Sequence, residues 1–125
     1  MSHKITADTK KNLLFIQIGV VEKNNFSLFK ENVKIQSNKL KPGFTCVTDF
    51  RSFHLDFAKN TSQDFNELLG FVQEELEKKG VIKIIRIVPP QSLLISQILL
   101  RDFEKKRNYD FVCSMDEADE IISKL

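Results

Sequence analysis

The stretch Pro42–Arg51, with the sequence PGFTCVTDFR, decides the fold predicted for this chain. A Pro-Gly pair marks a turn, and the apolar run that follows it has the alternation of a buried β-strand. Its exit is polar and carries an acid, Asp49, and a base, Arg51. Period two places four residues on one face of this strand: Phe44, Cys46, Thr48 and Phe50. We therefore predict a central strand whose end brings two charged side chains to the edge of a sheet.

The residues upstream predict a β-hairpin and a helix. The hairpin arms are Lys4–Ala7 and Asn12–Val20, joined by a four-residue turn. One face of the second arm is apolar at every second position: Leu14, Ile16, Ile18 and Val20. The next helix is capped by Asn24 or Asn25 and runs to about Asn38, where Lys-Pro-Gly stops it.

The residues downstream of the central strand predict a long amphipathic helix. It begins near Thr61 and ends before Gly80, which suits the left-handed residue that closes a helix. An apolar stripe at helical spacing runs along it: Phe65, Leu68, Leu69, Val72 and Leu76. Two ion pairs at i,i+4 spacing are expected on its solvent side, Glu74–Lys78 and Glu75–Lys79.

The last third of the chain repeats the strand and helix pattern. A strand is predicted over Val81–Val88, a helix over Ser92–Lys106 and a strand over Tyr109–Cys113. Ser114 and Glu117 have the spacing of a capping box, which predicts a closing helix. The expected core face of that helix comprises Ala118, Ile121, Ile122 and Leu125.

This order of elements predicts an α/β fold. A β-hairpin is followed by repeated α–β units, which form a mostly parallel sheet of about five strands with four helices. The whole length, residues 1–125, is expected to be a single domain. Ile85 on a central strand and Leu69 on the helix that covers it should both be fully buried.

Composition and charge exclude several classes of protein. The chain is 42% hydrophobic and 29% charged, with a net charge of +2, so we expect neither nucleic-acid binding nor membrane insertion. The clusters Lys78–Lys79 and Lys105–Arg107 fall at predicted helix C-termini, where cations favour the helix dipole. No signal peptide is visible, which predicts a cytoplasmic location. Cys46 and Cys113 lie in apolar strand patterns and are interpreted as core residues.

The strand ends are poor in catalytic chemistry. There is no glycine-rich phosphate loop, no Ser-His-Asp order and no ligand-spaced set of His or Cys residues. We therefore expect no enzymatic activity, no cofactor and no metal. His54, between Phe53 and Leu55, is interpreted as an ordinary loop histidine.

Asp49 also suggests a remote alternative. Receiver domains of response regulators have this length and carry an acceptor aspartate at the end of a central strand. They also resemble one another in an acidic pair after the first strand and a lysine after the last. Here Glu22 is a single acid, and Cys113-Ser114 occupies the place of the lysine.

Two segments carry a closer resemblance. Leu40–Phe44 runs into Thr48–Arg51, and Ser114–Ala118 opens the closing helix. With the order of elements over nearly the whole chain, they make it resemble the STAS-like domains, the anti-sigma-factor-antagonist family and its relatives of the same fold. The resemblance implies a protein-binding module without catalysis, whose partner is another protein. The same fold also resembles the lipid-carrying Sec14-like group, so a small-molecule or lipid-binding domain is the alternative.

The resemblance further implies a switch serine at the start of the helix after the central strand. Thr61 and Ser62 occupy that place, although the family's following glycine is replaced by Gln63. A phosphate is stabilised at a helix N-terminus by exposed amides and the dipole, but Thr and Ser also serve there as ordinary caps. Both readings remain open. The candidate interaction and switch surface comprises Asp49, Arg51, Phe53, Leu55, Phe57, Thr61 and Ser62.

Overall fold

The structure is a computed structural model that describes residues 3–55, 62–89 and 109–125. Its seven strands are β1 (His3–Asp8), β2 (Leu13–Ile18), β3 (Val20–Val21), β4 (Thr45–Asp49), β5 (His54–Leu55), β6 (Lys83–Ile87) and β7 (Tyr109–Val112). Its three α-helices are α1 (Phe26–Ser37), α2 (Ser62–Lys78) and α3 (Met115–Ser123). The helix predicted over Ser92–Lys106 lies outside the described residues.

Five strands form the main sheet in the order β1-β2-β4-β6-β7. β1 pairs antiparallel with β2, and every other neighbouring pair is parallel. β4 is the central strand, and all five of its residues are buried. The predicted hairpin and mostly parallel α/β sheet are therefore confirmed.

Two apolar clusters cover the two faces of this sheet. On one face the stripes of α1 and α2 pack on β2 and β4, with Phe29, Leu68 and Cys46 in the same cluster. On the other face α3 packs through Ala118 on a cluster that includes Val47 and Ile85. Successive side chains of β4, such as Cys46 and Val47, point to opposite faces of the sheet. The strand therefore contributes to both apolar clusters.

The predicted burial of Ile85 and Leu69 is confirmed, at 0% and 5% exposure. The two belong to opposite faces of the sheet, so α2 covers β6 through Ile84 rather than through Ile85.

Three expectations about side chains are wrong. Val20 is 41% exposed because the predicted second hairpin arm stops at Ile18 and the chain enters the separate strand β3. Leu125 is 58% exposed because α3 ends two residues earlier, at Ser123. Asn25 occupies the N-cap position of α1 without a capping bond, since its side chain donates to Glu22 instead.

The ends of α2 and α3 follow their sequence signals closely. Gly80 has φ +89° and closes α2 as expected. Ser114 accepts from the Glu117 amide at 3.2 Å, while the Glu117 carboxylate accepts from the Cys113 amide at 3.0 Å. The capping box is thus present, but the Glu117 carboxylate accepts from the amide of the residue before the N-cap rather than from the N-cap amide.

Of the two ion pairs expected on α2, Glu75–Lys79 is confirmed at 3.8 Å. The expectation for Lys78 is wrong, because its ammonium lies 3.9 Å from Glu75 rather than beside Glu74. Glu75 is only 12% exposed, so this side of α2 is less open to solvent than the spacing suggested.

Candidate functional site

The end of β4 is closed by an ion pair within a single turn. Arg51 donates from Nε to Asp49 Oδ1 at 3.0 Å and from its terminal nitrogen to Oδ2 at 2.8 Å. The Arg51 amide also donates to Oδ1, at 2.9 Å. The Asp49 side chain is 3% exposed and that of Arg51 is 46% exposed. The buried Asp49 carboxylate therefore holds the Arg51 guanidinium in place, while the Arg51 side chain remains accessible to solvent.

The ionisation of this pair follows from its contacts. Burial alone would raise the pKa of the Asp49 carboxyl, but the hydrogen bonds and the charge of Arg51 outweigh it and hold that pKa below its usual value. The same contacts raise the pKa of Arg51. Asp49 is thus an anion that serves to fix Arg51, and both of its oxygens are occupied.

Phe53 follows two residues later and is partly buried. Its amide donates to the Phe50 carbonyl at 3.0 Å, and its ring meets the Phe50 ring edge to face at 5.8 Å. It also lies 4.8 Å from the ring of Phe65, in the first turns of α2. Phe53 therefore anchors the turn after β4 to the start of α2 while keeping part of its ring at the surface.

A second, two-stranded sheet lies beyond the ends of β2 and β4. β3 and β5 pair in parallel, with Val20 opposite His54 and Val21 opposite Leu55. The sequence analysis assigned His54 and Leu55 to a loop, and this is corrected. Two residues are too few to show a period, so only the β-branched pair Val20-Val21 hinted at a strand here.

Ser62 is the first residue of α2. The switch hypothesis needs a hydroxyl residue at this helix start, where amide donors and the positive end of the dipole are available. Phe57 and Thr61 lie outside the described residues. The structure thus brings Asp49, Arg51 and Phe53 together in one turn.

A cleft of about 250 Å³ opens at the same edge of the sheet. It is lined by His3, Lys4, Gln17, Gly19 and Ser52. The sequence analysis did not single out these residues. The pairing of Lys4 with Gln17, and of Gln17 with Asp49, places them in one row across the sheet. The register between the strands identifies these residues as neighbours. Register can be known only after the pairing of the strands is known.

Within residues 3–55, 62–89 and 109–125, no three His, Cys, Asp or Glu residues are grouped to hold a metal ion. Burial raises the pKa of the Cys46 thiol to about 12, so this cysteine is a core residue as expected. Cys113 is only half-buried, so its assignment to the core holds in part.

Comparison with known proteins supports the fold at the level of structure. No family model and no curated protein matches the sequence. Among solved structures, the chain is similar to the anti-sigma factor antagonist SpoIIAA in its unphosphorylated form, with a TM-score of 0.65 and 12% sequence identity. The match covers 99% of this chain and 100% of that one. The chain therefore has the STAS-like fold that its sequence resembles.

No helix in the described ranges has the length and apolar content needed to cross a membrane.

Proposed function

We propose that this chain is a non-catalytic, STAS-like regulatory module that binds another protein at the carboxyl edge of β4. The observation that carries the proposal is the structural similarity to an anti-sigma factor antagonist over 99% of the chain. The proposed surface, called the β4–α2 surface, comprises Arg51, Phe53, Leu55, Phe57, Thr61 and Ser62, and the buried Asp49 holds Arg51 in place beneath it.

The geometry of Arg51 favours a protein partner. Its guanidinium is held by two side-chain hydrogen bonds to Asp49, so little side-chain entropy remains to be lost on binding. Arginine and aromatic side chains are enriched where interfaces carry most of their energy. Arg51 and the partly exposed Phe53 lie two residues apart and provide one of each.

The start of α2 offers a means of control. A phosphate on Ser62, the first residue of α2, would lie at the positive end of the helix dipole. The modified helix would be stabilised, and the added charge would change what the surface can bind. The competing interpretation, in which Thr61 or Ser62 only caps the helix, predicts no effect on a partner.

The test compares partner capture by the wild type and by Ser62→Asp. A partner recovered from native lysate by the wild type should bind the variant at least about tenfold more weakly, with unchanged circular dichroism. The matched control is Ser27→Asp, which places the same charge in the first turn of α1. Equal affinity for Ser62→Asp and wild type, or a footprint on the opposite end of the sheet, would refute the proposal.

The alternative of a lipid or small-molecule carrier has less structural support. A core cavity between the main sheet and α2 has a volume of about 20 Å³, enough for about one water. Ligand pockets usually measure about 300–1,000 Å³. Native mass spectrometry of protein purified without additives tests this alternative, since a retained ligand would favour it. The geometry does not favour the receiver alternative, because Arg51 donates hydrogen bonds to both Asp49 oxygens.

A further inference from the structure

Three loops meet at the end of the main sheet opposite the β4–α2 surface. They cover residues 9–12, 38–44 and 79–82, and they precede β2, β4 and β6. The Asn12 side chain donates to the Lys41 carbonyl at 3.1 Å and accepts from the Lys41 amide at 2.9 Å. The Gly43 amide donates to the Gly80 carbonyl at 2.7 Å. Hydrogen bonds therefore join the three loops into one continuous surface.

The charge of this surface has one sign. The three loops contain five lysines and no Asp or Glu. Four of these lysines are exposed, namely Lys10, Lys11, Lys39 and Lys41. Lys78, the last residue of α2, adds a fifth exposed cation, with a side chain 76% exposed. We call these five residues the lysine platform.

Among the described residues, most carboxylates near the platform already accept a hydrogen bond or pair with a cation. Asp8 Oδ1 accepts from the amides of Lys10 and Lys11, each at 3.1 Å. Glu75 lies 3.9 Å from the Lys78 ammonium and 3.8 Å from that of Lys79. Asp110 pairs with Lys83, Glu77 beside Lys78 accepts from the Gln73 side chain at 2.9 Å, and Glu74 lies about one turn back along α2. Within the part of the chain that the structure describes, little negative charge thus opposes the four loop lysines of the platform.

The chemistry of the platform favours a diffuse anionic surface over a specific anion. The helices that reach it, α1 and α2, end there, so carbonyls rather than amide donors face the loops. Its cations are lysines, which act as mobile point charges and lack the bidentate fork of arginine. The one aromatic residue of the three loops, Phe44, is 0% exposed. The loops therefore offer no aromatic ring on which nucleic-acid bases could stack.

Two apolar side chains lie in the same set of loops as the lysines. Ile82, in the third loop, is 51% exposed, and Leu40 in the second loop is partly exposed. This combination of lysines and apolar side chains suits the surface of an anionic bilayer. There the negative headgroups attract the lysines, and an apolar side chain enters the boundary between headgroups and acyl chains.

We propose that the lysine platform docks this protein on an anionic lipid bilayer. The lysines lie against acidic headgroups, and Ile82 contacts the acyl boundary. The β4–α2 surface then points away from the membrane, because it lies at the other end of the same parallel strands. The proposal goes beyond the proposed function and does not depend on it.

The test is cosedimentation with vesicles that contain about 30% phosphatidylserine, against pure phosphatidylcholine vesicles, at about 50 mM salt. We expect binding to the anionic vesicles alone, with loss at about 500 mM salt, where the Debye length falls to a few Å. Each juxtamembrane lysine contributes roughly fivefold, so Lys39→Gln with Lys41→Gln should weaken binding about 25-fold. Ile82→Ser should weaken it further without changing its dependence on salt.

The matched control neutralises two lysines outside the platform, Lys4→Gln with Lys30→Gln. It makes the same change in net charge and should weaken vesicle binding by less than about threefold. An equal loss in both double variants would show attraction by overall charge and overturn the proposal. So would an absence of binding to anionic vesicles, or tighter binding to a DNA duplex at the same salt concentration. Circular dichroism of every variant establishes that the fold is kept.

Discussion

Lys79, one residue beyond α2, donates to the hydroxyl of Ser37 in α1 at 2.7 Å and to the Lys34 carbonyl at 3.0 Å. The ammonium therefore satisfies an acceptor at the C-terminus of the neighbouring helix and joins α1 to α2. Burial lowers the pKa of Lys79, and the nearby Glu75 partly offsets that effect. Lys78, the residue before it, has no such role, since its side chain is 76% exposed.

This difference predicts unequal effects of the same substitution at adjacent lysines. Lys79→Met keeps the apolar stem but leaves the Ser37 hydroxyl and the Lys34 carbonyl without this donor, so the free energy of unfolding should fall by about 1–2 kcal/mol. Lys78→Met should change it by less than about 0.5 kcal/mol. Urea denaturation of both variants measures the difference. Equal losses would mean that Lys79 does not join the helices.

Arg51→Gln should make the protein more sensitive to acid. The folded-state pKa of Asp49 lies below the unfolded value of about 3.9, so the pair contributes stability above that pH and loses it as pH falls through the folded pKa. Without Arg51, burial raises the Asp49 pKa and the loss begins at higher pH. We also expect a loss of about 1–2 kcal/mol at neutral pH. Urea denaturation between about pH 3 and pH 7 tests this.

Asp49→Asn is the control for that experiment. It removes the titrating group at nearly constant shape, so a double variant with Arg51→Gln should lose the added acid sensitivity. If Arg51→Gln and wild type lose stability over the same range of pH, the ion pair does not set the ionisation of Asp49.

Gly80→Ala should be more destabilising than Gly43→Ala. Both glycines have a φ near +90°, which an L-residue adopts only with strain. A Cβ added at Gly80 would lie 2.9 Å from the Cβ of Pro42, whereas one added at Gly43 would meet nothing within 4 Å. We expect about 1–2 kcal/mol at Gly43 and more at Gly80, measured by thermal unfolding. A smaller loss at Gly80 would contradict the close approach of these loops.

Cys46 should be inert in the native protein. Burial raises the pKa of its thiol to about 12, and no thiolate forms at pH 8. In a Cys113→Ser background, a thiol-reactive dye should label nothing until denaturant is added, and then label one cysteine. Labelling at the rate of a free thiol under native conditions would place Cys46 at the surface.

The sequence predicted those elements whose signal lies within a few residues. Alternation along β4, the stripe of α2 and the Ser114 cap are local patterns, and each is present in the structure. Charge spacing along one helix predicted the contact of Lys79 with Glu75 but not its hydrogen bond to Ser37, which is 42 residues away. Sequence spacing describes only one element and omits the neighbour that packs against it.

The candidate site was predictable only in part. The sequence placed Asp49 and Arg51 at a strand exit, but the bidentate contact that buries one and exposes the other depends on the turn geometry. Neither β5 nor the lysine platform could be predicted, since each needs the pairing of distant segments. The platform lysines come from two loops and the end of α2, and the linear sequence shows them only as scattered charges.

The separate pairing of β3 with β5 gives the sheet edge at the end of β4 its own local stability. Two strands of two residues share few hydrogen bonds, and an isolated two-stranded sheet is marginal in water. Amide hydrogens of Val21 and Leu55 should therefore exchange through an opening that leaves β4 and its neighbours protected. A partner arriving at this corner can reshape it by local unfolding while the five-stranded sheet keeps its register.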